Sequence, residues 1–334
     1  MTPRRILITG ASGSIGHYVT EALIQETDLE LYLLVRNPSK LRLNTQSRPG
    51  ITVLPGDMRD ITQFADLLKT IDVAVLAASE WGGPGAFDIN VTKPLELLSL
   101  LDPATCQQVI YFSTASILDR HHQPLKEAGE LGTYYIRSKY DCLQRLPGLA
   151  IAPRITILFP TLVVGGDAEK PYSYFSDALP KVAKWMNLIR FLGLDGSFHF
   201  IHGRDIAQVV RYLIDHPATG REPRSFVLGQ EPLTVDQAVE EICAYLDKKI
   251  YFRIPVPLLL AKLVLILSQS RITASDRAWD RFCLSYRQCG YAHPTNPASF
   301  GLPNYCATLT DVLQLSGIAR RGTASRPVDV SAEQ

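Results

Sequence analysis

The feature that most constrains this chain is a glycine turn, Thr9-Gly10-Ala11-Ser12-Gly13-Ser14-Ile15-Gly16, set between an apolar run and a helical pattern. A strand that turns this tightly into a helix needs glycine at three points. Gly10 permits the turn, Gly13 lets the backbone approach a pyrophosphate, and Gly16 allows the helix to pack close to the strand. The helix start then offers N–H donors and a positive dipole end to phosphate oxygens. The pattern predicts a dinucleotide-binding βαβ unit with Thr9, Ser12, Ser14 and Ile15 completing the cradle. A merely tight turn is the bland alternative.

The rhythm downstream agrees with that start. Apolar runs at Ile6–Thr9, Leu31–Val35, Thr52–Leu54, Val73–Ala77, Val109–Ser113 and Ile155–Leu158 alternate with helical patterns at Ile15–Gln25, Ile61–Leu68, Asn90–Leu101 and Tyr135–Leu146. Such alternation predicts an α/β fold with a doubly wound parallel sheet. A helical pattern begins again near Asp205, and Phe226–Leu228 reads as a strand returning to the sheet. Thr234 with Gln237 marks a capping box for a helix through Leu246. We therefore expect a nucleotide domain over residues 1–165, with 200–230 returning to it. A smaller, discontinuous C-terminal substrate lobe over 166–199 and 231–319 and a disordered tail over 320–334 complete the expectation.

Composition narrows the partners. Thirty-four basic against 33 acidic residues give a net charge of +1, so no global field draws the chain to nucleic acid, and a small-molecule substrate is expected. The six cysteines form no Cys-x-x-Cys pair, which fits free thiols in a reducing, cytoplasmic setting. No run is long enough to span a membrane as a helix. The apolar stretch 257–267 reads as a core or interface helix, with peripheral membrane contact or a pocket wall as alternatives. A homodimer is left open.

Where an acidic residue would hold the ribose hydroxyls of NAD, the second strand ends in Val35-Arg36-Asn37-Pro38-Ser39-Lys40. Arg36, with Lys40, suits a 2′-phosphate and favours NADP, with NAD as the alternative; a solvated strand-end charge is the bland reading. Asp57, beside Met58, can accept from an adenine amino group or simply cap the next helix. Ala77, Ala78 and Pro160 stand at strand ends facing the expected cofactor.

Tyr135 and Lys139 lie four apart, on one helix face. An ammonium beside a phenol is expected to lower the phenol's pKa and fit it for proton exchange with a carbonyl or alcohol. Ser113 and Thr114 end the preceding strand and can hold a substrate oxygen. Together, the glycine turn, these hydroxyls, the Tyr-x-x-x-Lys pair and the later Phe200-Ile201-His202-Gly203-Arg204-Asp205 segment resemble the extended or atypical short-chain dehydrogenase/reductases, the NAD-dependent epimerase/dehydratase family. The likeness covers about the first 245 residues. It implies a Rossmann-like fold, Tyr135 as acid/base, Lys139 as its partner and ribose contact, and Thr114, with Ser113 as neighbour, as substrate-oxygen donor.

The chain departs from the nucleotide-sugar branch of that family. Leu162 replaces the asparagine and Phe198 the arginine that would bond a sugar nucleotide, and Ala115-Ser116 replaces the Asp-Glu of the dehydratases. The expectation is hydride transfer at a carbonyl or alcohol of a small, fairly apolar substrate. The alternatives are a nucleotide-sugar epimerase and a non-catalytic NAD(P)-binding assembly or sensor subunit. No metal set is expected: His199 and His202, three apart in a strand pattern, face opposite ways. Arg277 and Arg281 share a helix face that reads as solvated.

Overall fold

The computed structural model describes residues 3–193, 195–220, 222–256, 274–286 and 289–320. The expectations for 257–267 and for the tail beyond residue 320 fall outside them. Seven parallel strands, β1 (Arg5–Thr9), β2 (Glu30–Val35), β3 (Ile51–Pro55), β4 (Val73–Leu76), β5 (Gln108–Phe112), β6 (Ile155–Pro160) and β7 (Arg224–Leu228), form one sheet. Their order is β7-β6-β5-β4-β1-β2-β3. The order reverses between β1 and β4, the switch point at which open α/β sheets bind ligands. This is a Rossmann-like α/β fold.

The inner strands β1, β4, β5 and β6 are buried on both faces because helices cover both. Ile6 and Ile8 join a core with the helices Ser14–Glu26 and Gly203–Asp215, whereas Leu7 joins the opposite core with the helix Tyr134–Arg145. That alternation is the period-two side-chain rule of a strand. Full burial of each such side chain stabilises the fold by about 1.5–3 kcal/mol.

A third core gathers Val164, Leu179, Met186, Phe200, Ile242 and Leu313. Leu233 and Thr234 pair antiparallel with Phe198 and Ser197, while Ile254 and Pro255 pair parallel with Leu192 and Gly193. Residues from two separated stretches, 164–200 and 233–318, thus share this third core and its strand pairings. The capping box at Thr234 is present, its hydroxyl accepting from Gln237 N–H.

Two local expectations need correction, and one helix had no counterpart in the sequence reading. Residues 61–68 are not one α-helix: a 3-10 stretch, Met58–Phe64, kinks at Asp60 and precedes a single α-turn, Ala65–Leu68. The segment expected as a helix from Asn90 starts as a π-turn, Asp88–Thr92, before the α-helix Lys93–Leu100. A helix at Tyr174–Ile189 was not anticipated, because Pro180, which normally breaks such a pattern, sits inside it.

Candidate active site

The glycine turn shows why it must be glycine. Gly10 has φ +71°, and a Cβ there would meet Ala78 N at 2.6 Å; one on Gly16 would meet Gly10 O at 2.0 Å. Thr9 is buried beneath the turn, where its Oγ1 accepts from Ala78 N–H at 3.3 Å. Gly13 begins the helix Ser14–Glu26 with no side-chain cap, leaving first-turn N–H groups for an external acceptor. Ser14 Oγ is buried without a partner.

These groups border a cleft of about 350 Å³. Ser12, Ser14, Ile15 and the three glycines line one end, Arg36, Lys40, Asp57 and Met58 the next, and Ala77, Ala78, Ser113, Tyr135 and Lys139 the other. Thr9, Thr114 and Pro160 do not line it. Thr9 supports the turn from below, and Pro160 is paired with Leu228 inside the sheet. Asp57 caps the 3-10 stretch by accepting from Arg59 N–H at 2.9 Å, as its bland reading held. Arg59 in turn bridges Asp57 at 3.3 Å, Glu80 at 3.0 Å and Asp88 at 3.8 Å. Arg36 and Lys40 are exposed on the cleft and form no ion pair among the described residues.

The cleft suits a dinucleotide. Uncapped N–H groups, the orphaned Ser14 Oγ and the missing Cβ atoms match phosphate oxygens at one end. At the other end Ser113 Oγ is likewise buried without a partner.

At that end Tyr135 is buried, and its hydroxyl lies within hydrogen-bond reach of the hydroxyls of Thr114 and Ser79. Lys139, four residues on, is also buried; its Nζ donates to Phe112 O at 2.8 Å and stands 5.9 Å from the Tyr135 ring centre. The expected depression of the phenol pKa is absent. Burial pushes Tyr135 up to about 12 and pulls Lys139 down to about 8. The ammonium points at a carbonyl rather than at the phenol oxygen, so desolvation wins. Tyr135 is held as a neutral phenol, a proton donor.

Two residues missed by the sequence reading hold this geometry. Asn90, fully buried on the π-turn, donates to Ser138 Oγ at 2.9 Å and to Glu80 O at 2.8 Å, and accepts from Glu80 N–H at 2.9 Å. Ser138 Oγ donates to Tyr135 O at 2.7 Å, so Asn90 ties the loop after β4 to the helix that carries the phenol. On that loop Trp81 stacks on Tyr135. A tryptophan beside Gly82-Gly83-Pro84-Gly85 was the available signal.

A second cavity of about 200 Å³ adjoins the strand-end turn through Ala115 and Ser116. Leu162 and Phe198, the two departures from the sugar-binding pattern, both line it. His199 and His202 diverge: His199 borders this cavity, whereas His202 packs between Tyr18 and Tyr305 on the far side.

Comparison with known proteins agrees with this architecture. The structure called gox2253 superposes with a TM-score of 0.68 at 18% identity, covering 93% of this chain and 97% of that one. WbmG of Bordetella bronchiseptica, solved with NAD and UDP, gives 0.62 at 15% identity and 94% of each chain. Quinone oxidoreductase 2 of Escherichia coli (strain K12) is 29% identical over 126 residues, 37% of this chain, and the match spans about two fifths (41%) of that protein. The sequence model of the NAD dependent epimerase/dehydratase family matches residues 6–229. A match of that extent decides membership: the chain belongs to the NAD-dependent epimerase/dehydratase family, whose members are enzymes.

Proposed function

We propose that this chain is an NADP-dependent reductase that converts a carbonyl of a small, fairly apolar substrate to an alcohol. The observation that carries the reading is the neutral, buried phenol of Tyr135, which faces the hydroxyls of Thr114 and Ser79 where the nucleotide cleft nears the apolar cavity.

Bound NADPH supplies the hydride. Ser79, which lines the cleft beside the phenol, holds the substrate oxygen, Thr114 positions the phenol hydroxyl from outside the lining, and Tyr135 donates its proton as the oxygen gains charge. The Lys139 ammonium, fixed on Phe112 O, contributes positive charge that favours the phenolate left behind. Trp81 covers one face of the phenol ring.

NADP is favoured over NAD because Arg36 and Lys40 stand at the end of β2 with their charges unpaired among the described residues, while Asp57 and Glu80 are tied to Arg59. Net redox is favoured over epimerisation because Leu162 and Phe198 offer no hydrogen bond to a sugar. The partial likeness to a quinone oxidoreductase points the same way.

The test is NADPH consumption by the full chain with a panel of aldehydes and ketones. Turnover is expected, and Tyr135→Phe should lower kcat by about 10²–10⁴-fold. Unchanged activity in that variant sinks the role of Tyr135. Tightly retained NAD with no net consumption means an epimerase, and NADPH binding with no reaction of any kind means a sensor or assembly subunit.

A further inference from the structure

We infer that the second cavity takes a flat, uncharged ring of the substrate, with the carbonyl that the ring bears directed to Tyr135. The inference rests on the proposed reductase activity and goes beyond it by assigning a pocket and a substrate shape.

One wall is built by helix periodicity. Trp279, Phe282 and Tyr286 follow an i, i+3, i+7 spacing on the helix Ala274–Tyr286, so they share a face. Their rings stack in sequence, with centres 5.4 Å apart in both steps and planes 27° and 25° from parallel. Phe198 and Leu162 help to line the same space.

The His199 ring, the Tyr291 and Tyr286 hydroxyls and the Thr161 hydroxyl, all at the pocket's border, are already bonded within the protein. His199 Nδ1 donates to Gln230 O at 2.6 Å, while its Nε2 accepts from Tyr291 N–H at 2.9 Å. Tyr291 Oη donates to Ala115 O at 2.8 Å, Thr161 Oγ1 to Leu228 O at 2.8 Å, and the Tyr286 hydroxyl is bonded at the Arg120 backbone. Burial pushes the Cys283 thiol up to about 12 and raises that of Cys289, so both present neutral, polarisable sulfur to neighbouring rings. A sugar with several hydroxyls moved here would lose its water and find too few partners to replace it. The hydroxyl left at the mouth is Ser116 Oγ, 3.4 Å from Thr114 Oγ1, on the side of the phenol. The polarity of the site therefore runs from an apolar slot to a polar mouth.

Stacked flat walls select a flat ligand. Ring–ring contacts reward a planar guest beyond its buried area, and a rigid ring loses less freedom on binding than a chain of equal carbon count. At about 200 Å³ the cavity is smaller than the ~300–1,000 Å³ typical of drug-sized ligands, which limits the guest to one or two rings. In the reaction the carbonyl carbon gains the hydride of NADPH and the oxygen gains the Tyr135 proton. The products are the alcohol and NADP, and solvent returns the proton to the phenolate.

The experiment compares acetophenone with the open-chain octanone of equal carbon number as NADPH-consuming substrates of the full chain. Acetophenone should show a kcat/KM about tenfold higher, through KM. Phe282→Leu, which keeps apolar bulk but removes a flat face, should collapse that preference, and Phe282→Tyr should restore it. Equal kcat/KM values, or a preference that survives both Phe282→Leu and Trp279→Leu, would overturn the assignment. Calorimetry with naphthol against decanol judges the pocket without turnover. If no ketone consumes NADPH, the proposed reductase reading falls. The pocket then stands if naphthol binds better and Phe282→Leu removes the difference, and falls if the two alcohols bind alike.

Discussion

The indole of Trp81 lies on the phenol ring of Tyr135, with ring centres 4.4 Å apart and planes 15° from parallel. Trp81 is nevertheless 70% exposed, so it spends one face on the acid and leaves the other to the cleft. A stacked pair of this kind contributes about 1 kcal/mol beyond its buried area. Trp81→Ala should therefore lower kcat/KM about three- to tenfold in steady-state assays, and Trp81→Phe should recover most of it. An unchanged kcat/KM in Trp81→Ala would remove Trp81 from the account.

On the proposed reductase reading, the pH profile follows from the two buried partners. Tyr135, held at about 12, keeps its proton throughout the working range, whereas Lys139, held at about 8, loses its charge near that pH. The kcat/KM for reduction should be level below pH ~8 and fall above it as the ammonium is lost. Lys139→Met should abolish the inflection along with most of the activity. A wild-type profile that is still level two pH units above 8 would contradict the assignment.

On the proposed reading, Arg36 sets the choice between the two dinucleotides. A guanidinium on a 2′-phosphate forms charge-assisted hydrogen bonds worth about 1.5–3 kcal/mol. Arg36→Ala should raise the Kd of NADPH about ten- to a hundredfold in a fluorescence titration, with the Kd of NADH nearly unmoved. Equal losses for both nucleotides would place Arg36 elsewhere.

His202 makes stability depend on acid. Burial, aided by the charges of Arg204 and Lys170, holds its pKa down from 6.5 to about 4. The fold thus selects the neutral ring, and the unfolded chain binds the proton first. Its contribution is fully present above pH 6.5 and is lost as pH falls toward 4, about 3 kcal/mol at most. His202→Asn keeps an acceptor for Arg204 N–H, which His202 Nδ1 meets at 3.0 Å, but cannot titrate. In urea titrations the variant should lose less stability than wild type between pH 6.5 and 4; equal losses would exclude His202 as the titrating group.

Much of the sheet was readable because its inner strands are buried on both faces and so appear as short continuous apolar runs, as Val73–Leu76 and residues 109–112 do. The glycine turn was readable because Gly10 and Gly16 answer to steric demands that no other residue meets. Asn90 and Trp81 were not, since their partners lie 48 and 54 positions away in Ser138 and Tyr135. The wall Trp279–Phe282–Tyr286 carries a visible helical spacing, but Arg277, Asp280 and Arg281 on the same helix turned the reading toward solvent. The direction of the phenol's pKa was also missed. A spacing of four places an ammonium near a ring, and only the structure shows that Lys139 spends its bond on Phe112 O.

The sheet order has a consequence for how the chain can be cut. β7, which covers β6, comes from residues 224–228, after a long excursion of the chain outside the sheet. A fragment ending at residue 165 would leave β6, every residue of it buried in the whole protein, as a bare edge strand with unpaired N–H and C=O groups. Such an edge recruits other chains. Residues 1–165 alone therefore lack a strand their sheet requires, and truncation at residue 165 should yield aggregate rather than a smaller cofactor-binding protein.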